Sequence, residues 1–148
     1  MIPLLHDFTD ETVLVFGGGP VGARKARRFA TEARVVVVSP DFAADDFGDA
    51  ALIRARPTPD AVPDWLSRVD PALVVAATDD ADLNEAAETA ARDQGRLVNR
   101  ADAAGERPAR SVVLPAIARD GPVVVGVGTG GRSPSLSAHL RDRIQDEV

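Results

Sequence analysis

Short, uniformly apolar runs alternate with amphipathic ones along the first hundred of these 148 residues. Thr12–Phe16 (TVLVF) reads as a strand stopped by three glycines. Residues 20–32 read as a helix with Pro20 in its first turn and Val21, Ala26, Phe29 and Ala30 as an inner stripe. Residues 34–38 (RVVVV) form a second strand without alternation, the pattern of a strand covered on both faces. A weaker strand at 52–55, a short helix at Val62–Val69 and a third apolar strand at 72–77 follow. Ala81–Asp93 is an Ala-rich helix, and residues 96–99 a short strand. Strands alternating with helices over short loops predict an α/β fold built on a parallel sheet.

Beyond Asn99 the pattern changes. Two extended segments, 111–119 and 122–127, flank Asp120 and Gly121, which read as a hairpin turn. A last helix has Ser133 as N-cap, Pro134 at its first position and a stripe of Leu136, Leu140, Ile144 and Val148. A hairpin and one helix cannot enclose a core, so this tail is expected to pack on the sheet or on a second chain. The expected division is a nucleotide-binding domain over 1–110 and a dimerisation region over 111–148.

Composition narrows the chemistry. With no Cys, disulfides and thiolate-held metals are excluded, and 45% hydrophobic residues suffice for a core. No apolar run reaches the ~20 residues that span a bilayer, and the N-terminus lacks the charged region of a signal peptide, so a cytoplasmic protein is expected. A net charge of −6 argues against nucleic acid as a partner. The charge is uneven, however. Residues 39–93 hold 13 acids and 4 bases, whereas residues 94–119 hold 5 bases and 2 acids. That island (Arg96, Arg100, Arg107, Arg110, Arg119) reads either as a solvated loop or as an anion-binding surface.

Gly17-Gly18-Gly19-Pro20-Val21-Gly22 fits the G-x-G-x-x-G turn, and it does so after a strand and at the start of a helix. The turn suits a dinucleotide pyrophosphate, with the helix N-terminus as its anion site. Asp41, 24 residues beyond Gly17 and displaced by Pro40, is a candidate for the ribose hydroxyls. No Arg or Lys is expected to adjoin this strand tip, which favours NAD over NADP. Thr78 is expected beside the cofactor, and Asp80 fits equally a ligand or a helix N-cap. Asn99 and Asp102 follow the fifth strand at the same edge. Asp102 reads either as a general base or as an arginine's salt-bridge partner. His6 and His139 have no partner at ligand spacing, so the metal question stays open, and Trp65 reads as a packing residue.

Four blocks together resemble the precorrin-2 dehydrogenase (sirohydrochlorin-forming) part of siroheme synthases: VFGGGPVGARK at 15–25, AATDDADLN at 76–84, VNRADAAGERPARSVVLPAI at 98–117 and GTGGRSP at 128–134. The resemblance implies a Rossmann-like fold and NAD-dependent oxidation of the tetrapyrrole precorrin-2, with ferrous iron as a further substrate in some members. It implies a homodimer built on the tail. It carries the cofactor turn onto Gly17, Gly18, Gly19, Pro20 and Val21, the second cofactor contact onto Pro40 and Asp41, and the functional aspartate onto Asp102. Asn99, Arg100, Arg107, Arg110 and Arg132 are then candidates to hold the substrate's carboxylates. The chain departs from the family's pattern in Arg100-Ala101 before Asp102, in a longer and more basic loop after it, and in Thr129 where a serine is usual. The family's helical C-terminal domain has no counterpart within these 148 residues and is expected to be absent. The competing expectation is a non-catalytic NAD-sensing module.

Overall fold

A computed structural model describes residues 1–103 and 107–148, so residues 104–106 of the third block lie outside the described residues. Two compact units emerge, Met1–Asp102 and Ala103–Val148.

The first unit is a five-stranded parallel sheet. Its strands are β1 (Thr12–Phe16), β2 (Arg34–Ser39), β3 (Ala51–Arg54), β4 (Leu73–Ala76) and β5 (Leu97–Arg100), in spatial order β3-β2-β1-β4-β5. The helices are α1 (Pro20–Ala30), α2 (Val62–Val69, led in by a 3-10 turn at Pro59–Ala61) and α3 (Ala81–Asp93). The chain order reverses direction across the sheet between β1 and β4. In open parallel sheets, ligands bind at the carboxyl ends of the strands flanking such a point.

Packing explains why the central strands carry continuous apolar runs. Alternate residues of a strand point to opposite faces, and in β1 and β4 both faces are covered. On one face Leu14, Phe16, Val74, Ala76 and Val98 pack with Leu66 of α2 and with Leu83, Ala87 and Ala91 of α3. Trp65 lies against this cluster as a packing residue. Val13, Val15, Val37 and Val75 are fully buried as well. Edge strand β3, by contrast, is exposed throughout.

Several boundaries differ from expectation. Helix α1 stops at Ala30 instead of residue 32, and its buried face is Gly22, Ala23, Ala26 and Phe29. Val21 stands 40% exposed at the helix start, not in the inner stripe. Strand β5 runs one residue later than expected, so Asn99 lies inside it, buried and paired in register with Val75. β3 runs one residue earlier, and β4 is shorter by one residue at each end.

The second unit holds β6 (Ala116–Asp120) and β7 (Val123–Val127), an antiparallel pair, and α4 (Pro134–Glu147). The strand expected from residue 111 begins only after Pro115, which has no N–H to give a ladder. Asp120 pairs with Val123, so the two-residue loop is Gly121-Pro122, not Asp120-Gly121. Gly121 takes φ +53°, the sign that a primed hairpin turn needs at its first central position. Ser133 caps α4 by accepting from the Leu136 N–H, as expected. The Gln145 carboxamide fastens the helix to β6, accepting from the Arg119 N–H at 3.0 Å and donating to its carbonyl at 2.8 Å. Within this chain the helix stripe is only partly covered. Leu136 and Val148 are exposed, Leu140 and Ile144 half-buried, and Ser137 is the helix's buried residue.

Candidate functional site

The glycine turn after β1 is shaped by three close approaches. A Cβ on Gly17 would stand 2.2 Å from the Ala77 carbonyl oxygen, and Gly17 takes φ +126°, where side chains are strained. A Cβ on Gly18 would meet the Asp41 carbonyl at 2.1 Å, and one on Gly22 the Gly17 carbonyl at 2.1 Å. Gly19 differs, because a Cβ there would meet nothing within 4 Å. Gly17, Gly18 and Gly22 thus serve the fold, while Gly19 borders open space.

That open space lies at the N-terminus of α1, where Gly19 is the N-cap, no side chain caps the helix and Pro20 is at its first position. Uncapped N–H groups and the positive end of the helix dipole suit an anion. Pro20 and Val21 are both exposed here. The residues present therefore fit a pyrophosphate.

Two further loops close on this turn. Residues 40–43 are tied to it by the Ala43 N–H, which donates to the Gly18 carbonyl at 2.9 Å. The Ser39 hydroxyl donates to the Asp41 carbonyl at 2.7 Å, leaving the Asp41 carboxylate 85% exposed. The structure corrects the reading that no basic residue adjoins this tip. Strand register sets Arg54 opposite Ser39, and its Nη1 donates to the Pro40 carbonyl at 2.9 Å and lies 3.7 Å from Asp41 Oδ1.

The loop after β4 is held by Asn84, a buried residue that sequence reasoning passed over. Its Oδ1 accepts from the Thr78 N–H (3.1 Å) and hydroxyl (2.7 Å), and its Nδ2 donates to the Thr78 carbonyl (2.9 Å). Asp80 is the N-cap of α3, accepting from Asp82 and Leu83. The only available signal was a polar residue amid the apolar positions of α3.

At the end of β5, Asp102 faces Arg100. Arg100 Nε donates to Asp102 Oδ1 at 2.8 Å and Nη2 to Oδ2 at 3.4 Å, while Nη1 lies 3.6 Å from Glu88. The guanidinium holds the Asp102 carboxyl below its ordinary range, against a smaller opposing effect of burial, and Asn84 lowers it further. The Arg100 guanidinium is held all the more firmly in its charged form. Asn99 accepts from Lys25 Nζ at 2.9 Å, so the chain's one lysine reaches from α1 to β5.

Arg107, Arg110 and Arg132 belong to the second unit. Arg107 donates to the Ala103 carbonyl at 2.8 Å, and Arg110 takes φ +67°. In that unit Thr129 accepts from the Ser133 N–H at 3.1 Å and lies 3.1 Å from the Ser137 hydroxyl. His6 pairs with Glu11 at 2.7 Å, and His139 is exposed on α4. Among the described residues, no group of three His, Asp or Glu side chains is placed to hold a metal ion. No helix among them is long and apolar enough to cross a membrane.

Comparisons with known proteins give a family and a fold. A family model described as "Putative NAD(P)-binding" matches residues 4–116. The chain is 32% identical, over 99% of its length, to a precorrin-2 dehydrogenase of Methanosarcina barkeri, of which it covers 66%. It is 38% identical to a siroheme synthase of Ectopseudomonas mendocina, of which it covers 30%. The chain thus spans under two thirds of the first relative and under one third of the second. Its fold is that of the solved "SirC, precorrin-2 dehydrogenase", with a TM-score of 0.75 at 23% identity over the whole of this chain and 71% of that one.

Proposed function

We infer that this chain, which belongs to the NAD(P)-binding family matched over residues 4–116, is the catalytic unit of an NAD-dependent precorrin-2 dehydrogenase that forms sirohydrochlorin. The observation that carries the reading is one sheet edge bearing both an open dinucleotide turn at Gly19 and an ionised carboxylate at Asp102. The likeness to the Methanosarcina dehydrogenase along 99% of this chain supports the substrate.

Bound NAD supplies a hydride acceptor. The residues of this chain do the rest. The turn at residues 17–21 binds the pyrophosphate on the α1 N-terminus, with Asp41 at the ribose and Thr78, pinned by Asn84, lining the site. Oxidation breaks one C–H bond of the reduced tetrapyrrole, whose electron pair leaves as hydride. A proton is lost as the conjugation extends, and Asp102 accepts it, directly or through water.

Arg100 takes a different part from the one its charge alone suggests. Its fork is engaged by Asp102 and Glu88, so it orients the base and keeps it ionised. Asn99, three residues before Asp102 in the same unit, is assigned to a carboxylate of the substrate. Chelation of Fe(II) gains no ligand set from the described residues.

The tail, residues 111–148, is assigned to a homodimer interface. In the second unit Val123, Leu136 and Val148 are each close to half exposed, a surface that a second copy would cover. The reaction is assigned to the cytoplasm.

Anaerobic incubation with precorrin-2 tests the reading. A tetrapyrrole with two hydrogens fewer, formed only when NAD is present, is expected. Dinucleotide binding with no change in the tetrapyrrole would favour a sensor instead.

A further inference from the structure

We propose that Arg54 sets the choice between NAD and NADP at this site, and that the chain binds both dinucleotides. The inference rests on the dinucleotide site described above and deepens it. In sheets of this kind the tip of the second strand decides the cofactor: a carboxylate accepts the ribose 2′-hydroxyl, and an arginine accommodates a 2′-phosphate. Here the tip offers both groups. Asp41 supplies the carboxylate, and Arg54 stands on the neighbouring strand, opposite Ser39 in register.

Three features hold the guanidinium in place. Its Nη1 donates to the Pro40 carbonyl at 2.9 Å, within the loop that Ala43 fastens to Gly18. Its Cζ stands 5.3 Å over the Phe42 ring, an arrangement that attracts a cation. Phe42 in turn meets the buried Phe47 edge-on, with centroids 5.5 Å apart, which anchors the platform in the core. The group is therefore preorganised, yet 67% exposed and open to an anion.

Asp41 is the group that opposes a phosphate here. Its carboxylate is 3.7 Å from Arg54 and 85% exposed, the geometry of a weak, solvated ion pair. A phosphate dianion with forked hydrogen bonds competes well against such a partner. With NAD, Asp41 accepts the ribose hydroxyl and Arg54 stays on its Pro40 carbonyl. With NADP, the carboxylate turns to solvent and Arg54 takes the phosphate.

The test is equilibrium titration of the purified protein with NADH and NADPH, followed by nucleotide fluorescence. The unaltered chain is expected to bind both, with Kd values within about tenfold of each other. R54A should raise the ratio of the NADPH Kd to the NADH Kd at least about tenfold, and R54K should give an intermediate ratio. NADH binding without NADPH binding, or a ratio unmoved by R54A, overturns the proposal and leaves the NAD reading standing. Binding of neither overturns both.

Discussion

Arg100 and Asp102, two residues apart at the end of β5, meet through two hydrogen bonds of 2.8 and 3.4 Å, and Glu88 of α3 steadies the arginine from behind at 3.6 Å. The pair is the arginine partnership that the sequence offered as one reading of Asp102, and it fixes the orientation of the carboxylate that the proposed reaction uses as proton acceptor.

The pH dependence follows from that arrangement. The Asp102 carboxyl titrates below its ordinary value of 3.8 because Arg100 donates to it. With Asp102 as the proposed base, which must be ionised, the acid limb of the pH–rate profile is expected below the ordinary carboxylate range. R100M removes the donor and should move that limb to higher pH. The pair's contribution to stability is fully present above the unfolded value and is lost as pH falls through the lowered folded one. R100M should therefore also flatten the acid-unfolding curve in that window, which circular dichroism against pH would show.

Asp102 itself is tested by D102N, which keeps the shape and removes the charge. Turnover should fall by about 10²–10⁴-fold, the usual share of a positioned base, while NADH titration gives a Kd within about threefold of the original. Full turnover with NAD bound would remove Asp102 from the role assigned to it.

The glycines separate fold from binding. G17A places a Cβ 2.2 Å from the Ala77 carbonyl at a φ of +126°, and should cost at least about 2 kcal/mol of stability. G19A meets nothing within 4 Å and should change stability by no more than about 1 kcal/mol. It should nevertheless weaken dinucleotide binding about tenfold or more, because the added methyl fills the space where the backbone meets the pyrophosphate. Thermal melts and NADH titrations of the two variants check both halves.

Asn84 is buried with three hydrogen bonds to Thr78, so N84A leaves the Thr78 N–H and carbonyl without those partners. A loss of about 1–3 kcal/mol is expected from chemical denaturation.

The central strands were legible because they are buried on both faces. Runs such as VVVV in β2 and LVVA in β4 have no polar residue to mislead. The bounds of α2 were legible too, with Pro63 in its first turn and Asp70 turning left-handed at φ +53° just beyond its end. The glycine turn declared its place by standing between a strand and a helix. What escaped depends on register between distant segments. Arg54 reaches the Asp41 loop only because β3 pairs with β2, and Lys25 reaches Asn99 only because α1 packs over the sheet. The α4 stripe was legible as a face, but i+4 spacing does not say what covers it.

The central claim, hydride transfer from precorrin-2 to NAD on this sheet edge, is tested most directly by mixing the protein and NAD with precorrin-2 anaerobically and following NADH absorbance alongside that of sirohydrochlorin. The two are expected to rise together in equal amounts, and neither is expected to rise without the protein. Saturable NADH binding with no NADH formed on adding precorrin-2 would contradict it.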